Sequence, residues 1–97
     1  MTRLLWSPRA SSDLELIREY ISRDSGVYAD LVLRRLVLAP ERLTEFPEIG
    51  RVVPEVGLPH LRELVVRPFR IVYRVRPGSV EIVTVFRSSR QFPADVG

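Results

Sequence analysis

Few residues in this sequence are able to do chemistry. Cysteine is absent, histidine occurs once as His60, and the 15 basic side chains are all arginine. A disulfide and a thiolate metal site are therefore excluded, and one histidine cannot build a His-rich metal cluster. His60 has Glu55 and Glu63 nearby in sequence, a setting in which a general base is conceivable. In a proline-flanked stretch the plainer expectation is a solvated loop histidine. The serines show no nucleophile elbow and no triad spacing. No glycine-rich loop could cradle a phosphate. No cofactor and no metal is expected.

Arginine is the abundant group. A guanidinium grips carboxylate or phosphate with a two-pronged fork and stacks on aromatic rings. Residues 1–50 carry seven arginines against eight acids, whereas residues 51–97 carry eight against four, so the net charge of +3 belongs to the second half. Arg62, Arg67, Arg70, Arg74, Arg76, Arg87 and Arg90 all fall there. They fit a surface for an acidic partner or a nucleic-acid backbone. A GC-rich genome using arginine in place of lysine would explain the type of base, but not its concentration in one half.

The elements that must position these groups follow from periodicity. Residues 2–6 read as a short strand. Ser7 and Pro8 open a helix over about 8–24, with Ala10, Leu14, Ile17 and Ile21 at helical spacing and Leu16 and Tyr20 widening the stripe. Ser25 and Gly26 end it. A second helix, about 27–46, presents Ala29, Val32, Leu33, Leu36 and Leu43, with a kink or a break and restart near Pro40. Residues 47–60 form a loop with a brief extended piece at Arg51–Val53.

Three strands follow, over about 61–66, 69–76 and 79–86, and then a frayed tail, 87–97. Phe69, Ile71, Tyr73 and Val75 alternate with Arg70, Val72, Arg74 and Arg76. Across a two-residue turn, Phe69 should face Phe86, Tyr73 should face Ile82, and Arg74 should pair with Glu81. The expected fold is α+β, in the order β-α-α-β-β-β. The helical hairpin covers the Phe69/Ile71/Tyr73/Ile82/Phe86 face of an antiparallel sheet. The other face is expected to stay partly open. It supplies the candidate binding surface: Arg62, Arg70, Val72, Arg74, Arg76, Val83 and Val85, with Arg87 and Arg90 from the tail.

A chain of 97 residues is enough for one domain, residues 1–97, with a modest core. No apolar run approaches the roughly 18 residues that span a bilayer. The N-terminus has no signal-peptide shape, and a cytoplasmic location is the default expectation.

Taken in order, these residues resemble the RelE/ParE superfamily of toxins from bacterial type II toxin–antitoxin modules. The resemblance rests on Trp6-Ser7-Pro8-x-Ala10, Asp13-Leu14, Tyr20-Ile21, Gly50-Arg51, Pro54-Glu55, Arg62-Glu63-Leu64 and Phe69–Val75, and on the stretch from Val80 to Arg90. It covers nearly the whole chain and implies a helical hairpin on an antiparallel sheet. Two activities occur in the superfamily. RelE-like members are ribosome-dependent mRNA endoribonucleases with a Lys- and Arg-rich surface and a Tyr or His near the C-terminus. ParE-like members poison DNA gyrase. This sequence has no lysine, and its tail carries Phe92 where an acid or base would be needed. Of the groups that could help move a proton, His60 and Tyr73, the second is expected in the core. The departures favour the ParE-like reading over the ribonuclease. A non-toxic member kept for antitoxin binding is a third possibility. The resemblance also implies a ParD-like antitoxin partner, with a ribbon-helix-helix N-terminal domain and a C-terminal segment that folds on binding.

Overall fold

Ser7 begins the first helix as its chemistry requires. Its hydroxyl accepts a hydrogen bond from the Ala10 N–H at 3.0 Å, and Pro8 takes the first helical position, where a missing N–H costs nothing. In the computed structural model, which describes residues 2–96, this helix, α1, runs Pro8–Ser22. The second, α2, runs Gly26–Leu38. Ser25 caps it, accepting from the Tyr28 N–H at 3.1 Å, so Ser25 opens α2 as well as closing the turn. Both helices are shorter than expected. Pro40 has no N–H to offer the Leu36 carbonyl, so the α-helix stops at Leu38 and the chain tightens into a 3-10 helix over Ala39–Thr44.

Among the described residues five strands make one sheet: β1 (Arg3–Trp6), β2 (Arg51–Val52), β3 (Leu61–Val66), β4 (Phe69–Arg76) and β5 (Ser79–Arg87). Their order is β1-β5-β4-β3-β2. β1 runs parallel to β5, with Leu4 opposite Val80 and Trp6 opposite Ile82. The other neighbours are antiparallel. The three strands expected from alternation thus gain β1 on one edge and β2 on the other. The result is the α+β helical hairpin on a sheet that the sequence implied.

The β4–β5 register holds near the turn and fails away from it. Tyr73 faces Ile82, Arg74 faces Glu81 and Val75 faces Val80. Between Val72 and Tyr73 the pairing slips, so that Val72 faces Thr84 and Phe69 faces Arg87. Val83 is the extra residue of a β-bulge, and one extra residue sends every later side chain to the opposite face. Val85, expected on the open face, therefore lies 2% exposed beneath the helices. Phe86, expected beneath the helices, packs on the far face beside Val72.

Ser7, which caps α1, and Asp13 within α1 hold the bulge. The Ser7 hydroxyl donates to the Val83 carbonyl at 2.9 Å, and the Ser7 N–H donates to the Ile82 carbonyl at 3.0 Å. The Asp13 carboxylate accepts from the Thr84 hydroxyl at 2.6 Å and from the Val85 N–H at 3.0 Å. Asp13→Ala leaves both donors unpaired and should cost about 2–3 kcal/mol. Asp13→Asn, which still offers one acceptor, should cost less. Urea midpoints at an unchanged slope measure both.

Two apolar clusters result. The larger joins Ala10, Ile21, Ala29, Val32 and Leu36 of the helices to Leu64, Phe69, Ile71, Tyr73, Val80, Ile82 and Val85 of the sheet, with Leu43 below. The smaller lies on the opposite face, where Val53, Leu61, Val72, Phe86 and Val96 pack together, bordered by Val56, Val83 and Phe92. That face is closed by the loop after β2 and by the tail. Phe92 meets Phe86 edge-on at 5.8 Å, and Arg9 pairs with Asp95. The tail is accordingly packed through Val96, where fraying was expected.

Candidate partner-binding surface

Closing the second face takes several expected binding residues out of reach. Val72 and Val85 are buried, and Arg70 is 7% exposed. Arg70 serves the interior. Its guanidinium donates to both Glu55 oxygens, at 2.8 and 2.7 Å, and through Nε to Glu63 at 2.6 Å. It also lies 5.2 Å from the Phe86 ring and 5.5 Å from the Phe92 ring. The Glu63 side chain is fully buried, and its second oxygen pairs with Arg51. The forked bond from Arg70 holds the Glu55 carboxyl at a pKa of about 2, well below the usual carboxylate range. The same carboxylates push the Arg70 pKa up. Strict alternation along β4 had placed Arg70 outward. It does point away from the helices, but the loop and tail cover it.

Arg62 is also structural. It donates to the carbonyls of Pro59, Gly50 and Glu48 and so pins the 47–60 loop to β3. Arg74 faces Glu81 in register, but the ion pair forms instead between Arg76 and Glu81, at 3.5 Å. Val83 is half-buried at the bulge. Arg76 and Arg90 are exposed. Arg87 is half-buried, 5.3 Å from the Phe69 ring and 5.9 Å from the Tyr20 ring. The structure therefore divides the expected surface: Arg76, Arg87 and Arg90 stay accessible, and Arg70, Val72 and Val85 do not.

The candidate proton-transfer groups do not assemble. His60 is exposed, while Glu55 and Glu63 are both committed to Arg70. Tyr73 is buried, its hydroxyl accepts from the Gly50 N–H at 2.9 Å, and burial raises its pKa. Among the described residues no group of three His, Asp or Glu side chains converges to hold a metal.

An apolar surface stands where the sequence suggested more core. Leu16 and Tyr20 were read as widening the buried stripe of α1, yet they are 62% and 61% exposed. On α2, Val27, Tyr28, Leu31 and Leu38 are all more than half exposed. Ala29, Val32 and Leu36 fill the inner face of α2, so Val27, Leu31 and Leu38, at offsets of four and seven, form a second stripe facing away. The signal was present in the sequence. α2 has more apolar positions than one inward stripe can use. An exposed apolar strip of this kind is a candidate protein-binding face. No helix among the described residues is long and apolar enough to cross a membrane.

Known proteins share this fold. Residues 4–92 match the model of the family described as ParE toxin of type II toxin-antitoxin system, parDE. Toxin RelE2 of Caulobacter vibrioides is 40% identical over 91 residues, covering 93% of this chain and 99% of the relative. Toxin ParE3 of the same organism is 28% identical over 98 residues, covering 100% of this chain and 97% of the relative. A solved structure titled as the chromosomal ParDE TA system from P. aeruginosa superposes with a TM-score of 0.77 at 24% identity, covering 90% of this chain and 96% of that one. The family match spans most of the chain, from β1 through the tail at Phe92, and the chain belongs to the ParE toxin family of type II toxin–antitoxin systems.

Proposed function

We propose that this toxin acts by binding DNA gyrase and stabilising its DNA-cleavage state, and that a ParD-like antitoxin neutralises it. The observation that carries this reading is the commitment of the proton-transfer groups that the sequence singled out, Tyr73, Glu55 and Glu63. RNA cleavage needs a base for the 2′-hydroxyl and an acid for the leaving oxygen. Tyr73 is buried and hydrogen-bonded, Glu55 and Glu63 are paired with Arg70, and exposed His60 has no carboxylate partner among the described residues. A binding mode of inhibition needs none of them. The antitoxin reading is supported by the Val27/Leu31/Leu38 strip, which offers apolar anchors, with Arg34 and Arg35 beside it for acidic residues.

The endoribonuclease reading retains one supporting fact, the name RelE2 of the relative at 40% identity. A single induction experiment separates the two. With the chain expressed alone, supercoiling should fall and DNA breaks should appear while mRNA stays intact. mRNA cleavage preceding any DNA damage would overturn the gyrase reading. Co-expression of the antitoxin encoded beside the toxin should restore supercoiling for the natural chain. For Leu31→Asp the rescue should fail, because the charge stands in the apolar strip.

A further inference from the structure

The ion pairs sort the arginines into two groups. Arg9, Arg18, Arg51, Arg62, Arg70 and Arg76 each contact a carboxylate. Six of the remaining arginines follow one another around one end of the molecule. Arg23 and Arg87 lie 6.0 and 5.9 Å from the Tyr20 ring. Arg87 continues onto Phe69, and the next residue, Ser88, donates its N–H to the Pro68 carbonyl at 2.8 Å. That bond brings the Arg87–Ser88 backbone beside the β3–β4 turn that carries Arg67. Arg35 of α2 donates to the Arg67 carbonyl at 3.2 Å and shares an open recess with Arg42, Leu38, Ala39 and Val66. Arg90 donates its N–H to the Arg87 carbonyl at 2.9 Å. Among the described residues none of these six makes an ion pair, although Asp24 and Glu41 adjoin Arg23 and Arg42 in sequence.

We infer that this arc of arginines is a docking surface for the phosphate backbone of duplex DNA, so that the toxin itself touches DNA. A guanidinium lying on a ring or holding one carbonyl keeps other N–H donors for an anion. Five of the six side chains are exposed, and Arg87 is half-buried. Cations strung in a row match a polymer with regularly spaced charge. An acidic peptide would instead seat its apolar anchors on the Val27/Leu31/Leu38 strip, which only Arg35 and Arg42 of these six adjoin, while Arg23, Arg67, Arg87 and Arg90 lie off it. Single-stranded RNA is the poorer match, because strand binders offer free aromatic faces on which bases stack. In this arc Phe69 is buried and Tyr20 is already approached by two guanidiniums. A duplex keeps its bases stacked and presents only the backbone. The inference goes beyond the gyrase reading and does not require gyrase.

The test uses the purified full chain and a fluorescent 25-bp duplex, with anisotropy read over about 50–200 mM salt. With four to five phosphates engaged, log affinity should fall against log salt with a slope of about −4, an affinity loss on the order of 100-fold over that range. Arg35→Gln with Arg67→Gln, both exposed positions that leave the core alone, should flatten the slope by about 2. Arg3→Gln with Arg76→Gln removes the same charge at the far end of the sheet and should leave the slope unchanged. Equal weakening by the two pairs would reduce the effect to net charge and overturn the inference. So would tighter binding to single-stranded RNA of equal charge, tighter binding to polyglutamate, or no duplex binding at about 50 mM salt. Because the readout is DNA binding without gyrase, its failure leaves the gyrase experiment to be judged on its own.

Discussion

Glu63→Ala is expected to cost about 3–5 kcal/mol of folding stability, a large share of the roughly 5–15 kcal/mol that holds a domain of this size together. The side chain is fully buried and joins Arg70 through one oxygen and Arg51 through the other. Arg51 sits at 59% side-chain exposure and can rehydrate when its partner goes. Arg70 cannot, because its side chain is 9% exposed and lies within reach of the Phe86 and Phe92 rings. Removing Glu63 therefore strands part of a buried cation and opens a polar cavity. The melting temperature should drop by on the order of 20 °C, read by circular dichroism.

Glu55→Ala is the control for this expectation. Glu55 is 42% exposed, so its bonds to Arg70 compete with water, and Glu63 still holds the cation after its loss. Its effect should be near 1 kcal/mol. Replacing Glu63 and Arg70 together by Leu and Met should recover much of the stability lost in Glu63→Ala, since buried ion pairs exchange for apolar packing at little net cost. A melting temperature for Glu63→Ala within a few degrees of the natural chain would show that Arg70 escapes to water and that the cluster is not what closes this face.

The contrast between Glu63 and Glu81 shows what the sequence could reveal. Arg74–Glu81 was expected from the spacing of residues across a tight turn, and the facing positions are right because local alternation fixes them. Ser7, Pro8 and Pro40 were legible for the same reason, since each acts on its own turn of helix. Val83 was not. Its bulge is held by Ser7 and Asp13, 76 and 71 residues away from their partners on β5, and no periodicity within β5 announces it. Everything beyond the bulge then changes face, which is why Val85 and Phe86 exchange places. The burial of Arg70 is not legible from alternation, which tells which way a side chain points, not what lies over it. The cover comes from the 53–60 loop and from Phe92 and Val96. The outer strip of α2 was legible only as a surplus: Val27, Leu31 and Leu38 have no place on a helix face already filled by Ala29, Val32 and Leu36.

Gly50→Ala is the second change expected to be severe, at about 3 kcal/mol or more, for steric reasons. Gly50 has an ordinary φ, so its lack of a side chain serves close approach rather than a left-handed turn. A Cβ placed there would overlap the Glu63 carbonyl oxygen and stand 2.6 Å from the Tyr73 hydroxyl and 2.9 Å from its ring. The carbonyl belongs to the backbone of β3, opposite Arg51 in the β2–β3 pairing, and cannot move without breaking that ladder. The same approach lets the Gly50 N–H donate to the Tyr73 hydroxyl at 2.9 Å. Tyr73→Phe, which removes that acceptor, should cost about 1–3 kcal/mol. In the Tyr73→Phe background Gly50→Ala loses its clash with the hydroxyl but keeps those with the Glu63 carbonyl and with the aromatic ring. The two costs should therefore sum to less than their separate values, while Gly50→Ala remains damaging in both backgrounds. A double-mutant cycle by urea denaturation reads the coupling. If the penalty of Gly50→Ala vanished once the hydroxyl was gone, the tyrosine alone would set the tolerance at this position. If it were unchanged, contact with β3 and with the aromatic ring would account for all of it.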